Sequence, residues 1–90
     1  MKIVAVCGAG IGTSAILKLN AERALERLDI DAVVEAGDLA SVTGRHRDAQ
    51  VILTSPQLAG RLGPTRADVV VIDNYLDVSE IADKLERAIG

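Results

Sequence analysis

The chain contains no tryptophan and no phenylalanine, and Tyr75 is its sole aromatic side chain. Its net charge is -3. It therefore lacks both the stacking rings and the basic face by which nucleic acid is bound, and no nucleic-acid partner is expected. The single cysteine, Cys7, has no partner for an intrachain disulfide, which fits a reducing cytoplasm. One cysteine and one histidine, His46, do not assemble a metal site of usual composition, and no cofactor is implied. No apolar run is long enough to cross a bilayer, and residues 3–6 are too short for a signal segment. The expectation is a cytoplasmic protein with no direct membrane insertion, reaching any membrane process through a partner.

What the chain does have is aliphatic bulk. The apolar share is 49%, so a core must be built from Val, Ile, Leu and Ala. Ninety residues suit one domain over 1–90, and nothing demands more than a monomer. Residues 2–6 form a β-branched apolar run, read as a buried strand. From Thr13 the period becomes helical, with Leu17, Ala21, Ala24, Leu25 and Leu28 on one face and Lys18, Glu22, Arg23, Glu26 and Arg27 largely on the other. Asp29 and Asp31 mark the exit.

Residues 32–36 read as a weaker strand at a sheet edge. Residues 37–48 hold a short helix from Leu39 or a loop, and the polar run around His46 argues for an exposed surface side chain there. Residues 49–53 form a third strand. Ser55 is then an N-cap with Pro56 at the first helical position, in a short helix closed by Gly63-Pro64. Residues 67–72 give the strongest strand signal. The last helix begins near Asp77, with Glu80 at capping-box spacing and an apolar stripe of Val78, Ile81, Ala82, Leu85, Ala88 and Ile89. Apolar strands alternating with helices predict an α/β domain, a parallel sheet covered on both faces, with ligands beyond the carboxyl ends of its strands.

One stretch organises this pattern: Cys7-Gly8-Ala9-Gly10-Ile11-Gly12-Thr13-Ser14. Three glycines in five positions allow successive main-chain N–H groups to converge on one spot, a nest for an anion. The positive end of the following helix strengthens it. A cysteine can be an inert core filler. At the mouth of such a nest its thiolate is favoured, which points to a nucleophile in its own phosphate cradle. Thr13 and Ser14 serve either as helix caps or as O–H donors to the anion. The glycines match neither G-x-G-x-x-G, because Thr13 occupies the last position, nor the Gly-Lys-Ser/Thr nucleotide loop. A non-catalytic nucleotide-binding module therefore remains only an alternative.

The spacing from Cys7 to Ser14 resembles the protein tyrosine phosphatase loop Cys-x5-Arg-Ser/Thr, except that Thr13 stands where the arginine belongs. Asp73 resembles in placement the general acid of the low-molecular-weight phosphatases, although helix capping explains it equally well. A small cysteine-dependent phosphatase is the second alternative. A cradle without arginine resembles enzyme IIB of the phosphoenolpyruvate-dependent sugar phosphotransferase system. The loop, the following Leu17-Lys18-Leu19-Asn20, and the tail from Val70 to Asp77 resemble its ascorbate/galactitol class, most closely the ascorbate branch. Asp38-Leu39-Ala40-Ser41 and Thr54-Ser55 also look like that class. The resemblance implies a three-layer fold like the low-molecular-weight phosphatases, with a four-stranded parallel sheet in the order 2-1-3-4. It implies a phosphohistidine–sugar phosphotransferase activity. Cys7 would take a phosphoryl group from the phosphohistidine of a IIA protein and pass it to a sugar, L-ascorbate, bound in a membrane IIC transporter. Residues Gly8, Ala9, Gly10, Ile11, Gly12, Thr13 and Ser14 would bind the phosphate.

Overall fold

The computed structural model describes residues 1–6 and 11–89. Four strands, β1 (Lys2–Val6), β2 (Val33–Gly37), β3 (Val51–Thr54) and β4 (Asp68–Val71), alternate with four helices, α1 (Ile11–Leu28), α2 (Leu39–Thr43), α3 (Pro56–Ala59) and α4 (Val78–Ile89). All strand pairs are parallel, and the order is β2-β1-β3-β4. This is the architecture and strand order expected from the sequence.

The two central strands have the most apolar surroundings. Val4, Ala5, Val6, Ile52, Leu53 and Thr54 are wholly buried. Pleat alternation sends Ile3, Ala5 and Leu53 into one core with Leu17, Ala21, Ala24, Ile81 and Leu85 from α1 and α4. It sends Val4, Val6 and Ile52 into a second, smaller core with Val42 and Leu58 from α2 and α3. The face predicted for α1 is the one that packs.

Local chemistry sets the ends of these elements. Asp29 closes α1 in the left-handed region, φ 55°. Its N–H donates to Glu26 O at 3.2 Å, and that of Ile30 donates to Leu25 O at 3.0 Å. That is the paired bonding of a Schellman motif, with Ile30 packing on the same core as Leu25. Asp38 caps α2 in a reciprocal box with Ser41. Ser55 Oγ accepts from Leu58 N–H at 3.3 Å, with proline inside the first turn of α3.

Three expectations change. Helix α3 stops at Ala59, capped by Gly60, well short of Gly63-Pro64. Being so short, it leaves the outer face of β4 uncovered, and Val69, in register with core residue Ile52, is 40% exposed. The sheet is thus not covered on both faces at β4. His46, expected at the surface, is only 6% exposed. The polar run around it misled, because Arg45, Arg47 and Asp48 face outward while the imidazole turns under, against Gly37. Its Nδ1 lies 3.2 Å from Glu35 Oε2, without hydrogen-bond alignment. Lys2 Nζ joins the same carboxylate at 3.5 Å and Asp48 at 2.8 Å. The Asp48 contact holds the Lys2 ammonium above, and the Asp48 carboxyl below, its ordinary range.

Gly37 is where this packing leaves no room. A Cβ there would lie 2.6 Å from Ser41 Oγ, 3.0 Å from His46 Cδ2 and 3.1 Å from Val4 Cγ1. Gly37→Ala should therefore cost about 1–3 kcal/mol of stability, read as a lowered midpoint in urea denaturation.

Candidate functional site

Parallel strands deliver all their carboxyl ends to one edge of the sheet, and every connection leaving that edge contributes to the site. The link from β1 to α1 contains Cys7, Gly8, Ala9 and Gly10, which lie outside the described residues, as do the side chain of Ile11 and the burial of Gly12. Beyond them, Thr13 is half-buried and Ser14 buried in the first turn of α1. A groove of 760 Å³ opens along this edge. Thr13 and Ile16 of α1 form one wall, Ser55, Pro56, Leu58 and Arg61 a second, and Ile72, Asp73, Asn74, Tyr75 and Leu76 a third. The structure thus brings together Thr13, Ser55, Asp73 and Asn74. Ser14 is not part of the groove lining. Just before Ser55, at the end of β3, fully buried Thr54 Oγ1 has no hydrogen-bond partner among the described residues.

The third wall is held by charge. Glu80 was read as the second half of a capping box with Asp77. Asp77 Oδ1 does accept from Glu80 N–H at 3.0 Å. The Glu80 side chain, however, turns the other way. Its carboxylate accepts from the N–H of Asp73 at 2.8 Å and of Asn74 at 3.0 Å. Lys84, one turn on, donates to Glu80 Oε2 at 2.6 Å and to Val71 O at 2.6 Å, and stands 3.5 Å from Asp73 Oδ2. On the far side, buried Asn20 of α1 donates to Tyr75 O at 2.7 Å. Asn74 Oδ1 accepts from Leu76 N–H at 3.0 Å. The loop is therefore fixed at both ends, yet it presents Leu76 at 73% exposure.

Burial pushes the Glu80 carboxyl up, but the Lys84 ammonium and the two loop N–H groups outweigh it and hold the group below the usual glutamate range. Glu80 in turn keeps the Lys84 ammonium above its ordinary value, against a smaller opposing effect of burial.

From the sequence, Glu80 was named only as a capping residue, without Lys84, and Asn20 only within a family-like segment, without its bond to the loop. The signals were present: an acid–lysine pair four apart in a helix, and an amide set three after Leu17 and four before Ala24 on the buried face. Arg61 carried no such signal, because the extent of α3 places it.

A profile of the family described as "PTS system, Lactose/Cellobiose specific IIB subunit" matches residues 2–87. The chain belongs to this phosphotransferase-system IIB family. Among curated relatives, the ascorbate-specific PTS system EIIB component of Mycoplasma pneumoniae is 31% identical over 90 residues, covering 99% of this chain and 95% of that protein. The component of the same name in Salmonella typhimurium is 30% identical over 90 residues, covering 99% and 89%. That of Escherichia coli O157:H7 matches at the same identity and coverage. In fold, the chain superposes on the lactose-specific IIB component domain of Streptococcus pneumoniae with a TM-score of 0.71 at 18% identity, covering 100% of this chain and 98% of that one.

The brace predicts an acid-sensitive stability. A carboxylate depressed by folding stabilises above its unfolded pKa, and that contribution is lost as pH falls through the folded value. Glu80→Gln should lower the unfolding free energy at pH 7 by about 1–3 kcal/mol. Its deficit relative to the native chain should shrink between about pH 5 and pH 3, seen in urea midpoints across that range. The Lys84 contribution runs the opposite way. It is intact below the unfolded lysine pKa and is lost only in alkali.

Proposed function

We propose that residues 1–90 act as one IIB domain that carries a phosphoryl group on Cys7 from a IIA protein to a sugar in a membrane IIC transporter. The observation carrying this reading is the place of Cys7 in the chain. In sequence it falls between Val6, the last residue of β1, and Ile11, the first of α1, and the groove opens along the carboxyl edge of the sheet. No helix among the described residues is long and apolar enough to cross a membrane, which suits a cytoplasmic domain meeting the bilayer only through the transporter. The chain works as a monomer in this scheme and needs no cofactor.

The Cys7 thiolate attacks the phosphorus of the N-phosphohistidine in line. The S–P bond forms as the P–N bond breaks, and its electron pair returns to the imidazole nitrogen. The main-chain N–H groups of residues 8–14 and the hydroxyls of Thr13 and Ser14 receive the phosphoryl oxygens. In the second step a sugar hydroxyl attacks phosphorus, its proton passes to solvent, and sulfur leaves as thiolate. Main-chain dipoles without a guanidinium in the turn hold the group less tightly than a phosphatase loop does. That suits a carrier, which must release what it accepts. The names of the curated relatives favour L-ascorbate as the sugar.

The competing phosphatase reading draws on Asp73, which does line the groove. Its contact with Lys84 and the bond from its main-chain N–H to Glu80 support a structural role for it.

Incubation with phosphoenolpyruvate, the general phosphotransferase proteins and a IIA protein should raise the intact mass by one phosphoryl group, and Cys7→Ser should abolish the rise. Asp73→Ala should still load. Rapid hydrolysis of an aryl phosphate, lost in Asp73→Ala, would overturn the carrier reading in favour of a phosphatase.

A further inference from the structure

Two charged side chains line the groove, Arg61 and Asp73. They are not equivalent. The Asp73 carboxylate faces the Lys84 ammonium at 3.5 Å, so its charge is opposed from outside the groove. The Arg61 guanidinium is exposed and takes part in no hydrogen bond or ion pair among the described residues. Its own backbone is fixed, with Arg61 N–H donating to Leu58 O at 2.9 Å just after α3. On a chain of net charge -3, the described residues of the groove therefore hold one unopposed positive charge, in a lining that also includes Thr13.

From this we infer that Arg61 receives the incoming phosphoryl group of the donor protein, supplying from the groove wall the cation that the turn itself lacks. The inference rests on the carrier reading above. A phosphohistidine brings a dianionic phosphoryl group towards an acidic protein, and long-range repulsion opposes that approach. One free guanidinium at the groove offsets it and offers planar donors to two phosphoryl oxygens. During transfer the S–P bond forms at Cys7 while the P–N bond breaks towards the donor imidazole. Negative charge remains on the equatorial oxygens throughout the transfer. Thr13, in the arginine position of the phosphatase pattern, leaves the loaded cysteine without a permanent clamp.

The test is the rate of phosphoryl loading from a histidine-phosphorylated IIA protein, followed by intact mass at several salt concentrations. Arg61→Gln should lower the second-order rate about three- to tenfold at low salt and flatten its salt dependence. Arg61→Lys should keep most of the salt dependence. The melting temperature should not move, because the Arg61 side chain is exposed. Arg61→Gln loading at the native rate with the native salt slope would overturn the inference while leaving the carrier reading standing. A native chain that acquires no phosphoryl group would remove the carrier reading and this inference with it.

Discussion

The parallel pairing of β1 between β2 and β3 is the constraint on which the remainder depends. Its residues are sealed on both faces, Ile3 and Ala5 under α1 and α4, Val4 and Val6 under α2 and α3. A strand with no exposed face has one register available to it, since a slip by one residue would exchange its two sets of side chains between the cores. The register places Val6 opposite Gly37 and Ala5 opposite Leu53. The end of β1, the start of α1 and the loops after β3 and β4 are thereby brought to one edge.

That much was written plainly in the amino-acid order. Aliphatic runs of four or five residues, separated by helical periods with capping residues at their mouths, specify an α/β alternation. The glycines after Cys7 mark the crossover where chemistry is expected. The family resemblance supplied the strand order that periodicity alone does not contain. Thr13, Ser55, Asp73 and Asn74, far apart in sequence, meet because parallel strands end together.

What was not legible depended on side-chain direction across space. Glu80 has the right spacing from Asp77 for a capping box, and no local rule says that its carboxylate prefers the two N–H groups of the β4–α4 loop. The preference follows from Lys84 being one turn away and from β4 ending where it does. His46 was misjudged for the same reason. A basic flank reads as solvent-facing, but the ring packs against Gly37, on a strand elsewhere in the sequence. Arg61 entered the groove only because α3 ends after a single turn.

The brevity of α3 has a second effect, at the margin of the sheet. β4 has no neighbour on its far side, so its main-chain N–H and C=O groups along that margin lack a partner strand. Val69 adds apolar surface next to them. Such a margin is a template for strand addition and for growth into aggregates. Asp68 and Asp73 bracket the valine run and are both exposed. Exposed charge at the ends of an edge strand works against such addition, a task remote from phosphate handling.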